Sequence, residues 1–258
     1  MSVTHRILYV GIGGTGVHVG KEFELALRRD LCGPDGRSLI RKGGPFKSLK
    51  PYQLPEYIQS LYFDFDDDAE QILQKGTDLN VELLRNNSTV IKSIHANGAT
   101  SYRVAAEMLR ADKETSQLTK DWLPEKNNEP QVAPLSDGAG QYPTVGKAAL
   151  TLALKRSGNE LKAEIDRAIS KLVLAGGMLQ AVKNPAHKPK VLCYVGFSVA
   201  GGTGTGIFYD IIHLIENRLN NILDNVEIKI FPLALMPSAF IDNWKMQNVK
   251  AGKANAAI

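Results

Sequence analysis

Glycine and threonine, gathered in two short runs far apart in the chain, are the residues here best suited to chemistry. The first run is Gly11-Ile12-Gly13-Gly14-Thr15-Gly16 and the second is Ala200-Gly201-Gly202-Thr203-Gly204-Thr205-Gly206. Each follows an apolar stretch, Ile7 to Val10 or Val191 to Val195, and each precedes a helical pattern. Both therefore read as strand, glycine turn and helix N-terminus. That order aims unpaired backbone N–H groups and the positive end of a helix dipole at one point, an arrangement that suits a phosphate. Glycine allows the backbone to come close, and the hydroxyls of Thr203 and Thr205 can add donors. Two such loops in one domain predict a nucleotide gripped from two sides.

Taken alone, Gly11-x-Gly13-x-x-Gly16 also fits the dinucleotide fingerprint or a tight strand–helix packing turn. The dinucleotide reading asks for an acidic residue about 20 positions on, at the end of a second strand. Asp30 and Asp35 lie near that distance, but among Arg28, Arg29, Gly33 and Pro34 with no strand before them. The next credible strand, Gln59 to Asp64, ends in the acidic cluster Asp64, Asp66, Asp67 and Asp68. Neither loop contains Gly-Lys-Ser/Thr, which excludes a Walker-type phosphate loop.

The elements that position these runs follow from periodicity. Strands are predicted at His5–Val10, Gln59–Asp64, Val191–Phe197 and Val226–Met236, and helices over Val17–Arg29, Ser101–Leu109, Val145–Leu174 and Ile207–Leu223. Ala69–Leu84 is partly helical, Lys245–Ile258 opens another helix, and Gly158 kinks or divides the long helix. Leu31–Leu54 is broken by seven glycines and prolines, with Pro55 directly after it, and reads as a long loop whose Arg41, Lys42, Lys47 and Lys50 face solvent. Ala111–Pro134 reads as a polar surface connection. Strands alternating with helices predict an α/β fold with a mostly parallel sheet and helices on both faces.

Composition sets the outer bounds. The net charge of +4 is too mild to argue for nucleic acid. Two distant cysteines, Cys32 and Cys193, give no disulfide framework and fit a reducing cytoplasm. The apolar stretch before Gly11 is too short for a signal peptide, and no run reaches membrane-spanning length.

With these motifs in place, the chain resembles the tubulin/FtsZ superfamily, most closely its divergent bacterial tubulin-like members. Ala200–Gly206 is similar to the family's phosphate signature G-G-G-T-G-S/T-G, with Ala200 at the first glycine. Gly11–Gly16 resembles its first glycine loop. Tyr62-Phe63-Asp64-Phe65-Asp66 resembles the strand whose acids lie near the nucleotide's magnesium. Gly138-Ala139-Gly140-Gln141-Tyr142-Pro143-Thr144-Val145-Gly146-Lys147-Ala148-Ala149 is similar to G-A-G-x-x-P-x-x-G-x-x-A, the loop beside the γ-phosphate. Phe231–Pro237 resembles the strand and loop that approach the ribose.

The resemblance implies one tubulin-like GTP-binding domain over residues 1–258, with an insertion at about 31–55. Phosphates of GTP or GDP would lie on Gly11, Gly13, Gly14, Thr15, Gly16 and on Ala200–Gly206, with Gly138, Ala139, Gly140 and Gln141 sensing the γ-phosphate. Asp64 and Asp66 would hold Mg2+, and Asp242 would reach the ribose. His18 stands where FtsZ has an asparagine. The family's central helix, with its base-reading asparagine, and the C-terminal half that carries the hydrolytic acid are expected to be absent. Three functions remain open: a self-assembling GTPase once that half is present, a nucleotide-binding scaffold without turnover, and an NAD(P)-binding domain built on the first loop. The expected partners are a guanine nucleotide and a second subunit, with no nucleic acid and no membrane segment.

Overall fold

Five apolar runs pair into one parallel sheet. They are β1 (Arg6–Ile12), β2 (Ile58–Phe63), β3 (Ser88–Val90), β4 (Lys190–Ser198) and β5 (Glu227–Leu235), in the order β3-β2-β1-β4-β5. The structure is a computed structural model that describes residues 5–77, 79, 81–95, 99–132, 134–175, 179, 190–223 and 226–240. In the register, Ile12 lies level with Phe63 on one side and Phe197 on the other, so β1, β2 and β4 end together.

The central strands carry apolar residues on both faces because helices cover both. Leu8, Val10 and Ile12 of β1 join Leu61, Phe63, Val191, Cys193 and Val195 in the main core. That face is closed by α5 (Tyr102–Ala111), α7 (Pro143–Leu174) and α8 (Gly202–Ile222). Tyr9 and Tyr62 point the other way, into a smaller cluster with Val17 of α1 (Gly13–Cys32). The α/β architecture expected from the sequence is thus present. Cys32 and Cys193 are buried free thiols. Among the described residues, no helix is long and apolar enough to cross a membrane.

Several elements depart from expectation. The segment after α1 is not a bare solvent loop. It forms α2 (Ser38–Arg41) and a 3-10 turn at Gly44–Phe46, and it buries Leu39, Phe46, Leu49 and Leu54 against Leu31 and Tyr57. Its glycines and prolines set the turns while the apolar residues between them anchor the segment. Arg41 pairs with Asp35, and Lys50 with Glu82 at 3.5 Å. The Ala69–Leu84 region resolves into α3 (Ala69–Gln74) and α4 (Val81–Asn87). The polar stretch from Ala111 contains α6 (Lys113–Thr119), started by the Asp112 carboxylate, which accepts from Thr115 N at 2.9 Å. The break in α7 falls at Ser157 (φ −126°, ψ 20°), one residue before Gly158.

Candidate functional site

The sheet order reverses beside β1, whose neighbours are β2 and β4. In open parallel sheets, ligands collect at the C-terminal strand ends where this happens. Here α1 starts directly after β1, at Gly13, and α8 starts just beyond β4, at Gly202. Both begin earlier than the apolar periodicity indicated, so the glycines form the first helical turns themselves. A third helix, α7, starts at Pro143 after the Gly138–Gln141 loop. None of the three has a side-chain cap, and none carries an acidic residue in its first turn. By contrast, Ser101 and Asp112 cap α5 and α6 with their side chains. The bare helix starts keep N–H groups and positive dipole ends uncompensated.

These three starts touch through glycine. Gly13 has φ 69°, and a methyl group there would lie 3.3 Å from both Gly204 N and Thr203 Cβ. A methyl on Gly202 would lie 2.6 Å from Tyr142 N and 2.7 Å from Ala139 O, while Gly202 N donates to Gly140 O at 2.7 Å. A methyl on Gly146 would lie 2.8 Å from Gly202 O. The first loop leans on the second and the second on the third. The predicted positions Gly11–Gly16, Gly138–Gln141 and Ala200–Gly206 therefore come together at one end of the sheet. Asp242 lies outside the described residues.

Proximity sorts the glycines into two jobs. Gly16 packs against Gly196 O, and its own carbonyl accepts the Tyr9 hydroxyl at 2.9 Å. Gly202 is seated against loop backbone, so it has no room for a side chain. The open positions are Gly201 and Gly138, where an added methyl meets nothing within 4 Å, and Gly14, where it faces Asp64 Oδ2 at 3.6 Å. The Thr205 hydroxyl donates to Gly201 O at 2.7 Å, so its hydrogen is already used. Thr203 is buried.

Asp64 follows β2 directly and is 3% exposed. Its Oδ1 accepts from Phe65 N at 2.9 Å. Burial first, and the Asp66 carboxylate second, push its pKa up to about 7. Asp66 Oδ1 accepts from Asp68 N at 2.9 Å, and Asp67 lies 3.4 Å from His95. A buried carboxyl beside a second acid and next to Gly14 is a donor set that a hard cation would favour in its ionised form. Two carboxylates fit Mg2+, which completes its shell with water and phosphate oxygens. No group of three or more His, Cys, Asp or Glu residues suited to a metal occurs among the described residues.

Sequence reasoning missed Gly20 and Tyr142. Gly20 lies one helical turn beyond Gly16, where any side chain would strike Tyr9 and Tyr62; the four-residue spacing was the available signal. Tyr142, 45% exposed, precedes Pro143 at the start of α7. His18 is exposed on α1.

A family model described as tubulin like matches residues 8–257. No curated protein matches the chain. With nearly its whole length under that match, the chain belongs to the tubulin-like family.

Proposed function

We propose that this chain binds a guanine nucleotide, GTP or GDP, with its phosphates on the starts of α1, α7 and α8, and that it is the nucleotide-binding unit of a self-assembling GTPase. The observation that carries this reading is the convergence of three uncapped, acid-free helix N-termini on one strand-end cleft. One such end attracts an anion; three together suit a polyphosphate. The N–H groups of Gly14, Thr15, Thr203 and Gly204 would act as donors, and the open faces of Gly14, Gly138 and Gly201 leave room for phosphate oxygens. Asp64 and Asp66 would hold Mg2+, which supplies charge neutralisation on the phosphates. Residues 1–258 are taken as a single nucleotide-binding unit, the guanine preference rests on family membership, and Asp242 stays the candidate for the ribose.

One observation favours a second reading. Asp64 ends the strand next to β1, the place where a dinucleotide-binding sheet keeps its ribose acid. Against it, Asp64 is buried and turned toward Gly14 and Asp66, and two further helix starts crowd the same cleft. Thermal unfolding with matched concentrations of GTP, GDP, NAD(H) and NADP(H), each with Mg2+, separates the two. A ligand that binds only the native state raises its melting temperature. Stabilisation by NAD(H) alone would replace the guanine reading. Binding without turnover would leave a nucleotide-responsive scaffold.

A further inference from the structure

Behind the cleft, α1 is fixed to the sheet by two tyrosine hydroxyls. Tyr9, on β1, donates to Gly16 O at 2.9 Å, and Tyr62, on β2, donates to Glu24 Oε1 at 2.7 Å. Between those two bonds lies Gly20, where a side chain would strike both rings. Gly16, Gly20 and Glu24 are spaced by four residues and so share one face of the helix. The Glu24 carboxylate is buried and held from three sides. Tyr62 reaches it from β2, the Ser88 hydroxyl on β3 lies 2.8 and 2.7 Å from its two oxygens, and Arg28 Nη2 lies 3.6 Å away, one turn along α1. Arg28 donates in turn to Tyr52 O at 2.7 Å, but its Nε and Nη2 have no hydrogen-bond partner among the described residues. A buried ion pair so incompletely satisfied is a poor source of stability. What the arrangement does supply is a fixed acceptor for Tyr62.

That acceptor bears on the cation site. Side chains alternate along a strand, so Phe63 enters the main core while Tyr62, with Asp64 two residues on, turns toward α1. Asp64 Oδ2 then lies opposite Gly14, at the start of the same helix that carries Glu24. We propose that Glu24, acting through Tyr62, is a positioning residue for the cation. Its bond to Tyr62 pins the register of β2 against α1 and thereby sets the Asp64 carboxylate beside Gly14. Groups that stand behind a metal ligand orient it and tune its affinity. Ser88 bonds the same carboxylate, but it belongs to β3 and does not lead to Asp64. The proposal deepens the reading in which Asp64 and Asp66 hold Mg2+, and rests on it.

The test compares two variants of the full chain that each remove one hydrogen bond from Glu24. Tyr62→Phe cuts the tie to β2, and Ser88→Ala cuts the tie to β3. Both should lower the melting temperature by similar amounts, because each takes one partner from the same buried carboxylate. Only the first should move the cation site. With saturating GDP and Mn2+ as a paramagnetic probe for Mg2+, Tyr62→Phe should weaken metal binding about fivefold, and Ser88→Ala should stay within about twofold of wild type. GDP affinity without metal should be the same in all three proteins. Glu24→Gln keeps an acceptor for the Tyr62 hydroxyl and should hold Mn2+ close to wild type. In the metal-free protein, the Phe65 amide donates to Asp64 Oδ1 at 2.9 Å. Its hydrogen exchange should quicken in Tyr62→Phe and not in Ser88→Ala. Equal Mn2+ affinities in those two variants, or an unchanged Phe65 amide in Tyr62→Phe, would overturn the positioning role and leave the cation site standing. A wild-type chain that binds GDP but not Mn2+ would overturn the cation site itself, and one that binds neither would overturn the nucleotide reading.

Discussion

Gly201 and Gly202 are adjacent in the chain and opposite in their surroundings, which makes them the sharpest probe of the site. Gly201 has extended backbone (φ −95°, ψ 159°) and open space where a side chain would go. Gly201→Val should therefore keep the melting temperature close to wild type and abolish binding of a fluorescent GTP analogue. Gly202→Val drives into the backbone of Ala139 and Tyr142 and should cost about 2 kcal/mol or more of stability, an overpacking effect. Equal stability of the two variants in chemical denaturation would refute this division. Asp64 gives a second residue-scale prediction. Its pKa rises from an ordinary 3.8 to about 7 on folding, from burial first and Asp66 second. Between those values the native state holds a proton that the unfolded chain has lost. The contribution is complete below about pH 4 and is lost as pH rises through 7, by up to about 4 kcal/mol. Urea denaturation without Mg2+ should show this decline, and Asp64→Asn should flatten it; an unchanged slope would place the titration elsewhere. The candidate residues were legible because glycine runs and acids are visible as letters. Which glycine packs and which stays open was not, because for Gly202 that depends on Ala139 and Tyr142, contacts made across a long stretch of chain.

At the scale of elements, the strand–glycine–helix order was readable from apolar runs beside glycine, but the helix starts were placed too late. Helical periodicity needs side chains, and the first turns of α1 and α8 are glycine-rich. β3 was missed because Ser88-Thr89-Val90 is too short to show alternation. The segment at 31–55 was misread because Gly and Pro outweighed the sparse apolar residues that form its small core. The apolar stripe of α8 was legible and carries its own prediction. Ile211 and Ile215 are fully buried, while Tyr209 is 64% exposed and stacks edge-on against His213. Ile215→Ala should cost about 3 kcal/mol, and Tyr209→Ala should stay within about 0.5 kcal/mol of wild type. Denaturation midpoints for the pair test whether α8 is held by the core rather than by its outer surface; a comparable loss in both would mean that the outer face is covered.

At the scale of the whole molecule, the sheet order does not distinguish a dinucleotide fold from a tubulin-like one, because both place a phosphate at the end of the first strand. The distinction lies in what else arrives there, namely the starts of α7 and α8. Guanine nucleotide with Mg2+ should therefore raise the melting temperature more than NAD(H) or NADP(H). Competition at matched concentration decides it, with displacement of the guanine analogue by NAD(H) as the refuting result. Turnover is a separate question. Attack of water on a phosphoryl group needs a positioned nucleophile as well as neutralised charge. Helix starts and a cation supply the second. For the first, Asp64 and Asp66 would both be taken up by the cation. An acid bound to a cation is a poor base for water, since the cation favours its ionised form. The chain by itself should thus bind nucleotide yet release phosphate at a negligible rate. Phosphate release measured across a wide range of protein concentration, with sedimentation in parallel, tests this. Release proportional to protein concentration would reveal a nucleophile-positioning group within the chain. A rate per subunit that climbs with concentration, together with sedimenting material, would mean that one copy completes the site of another.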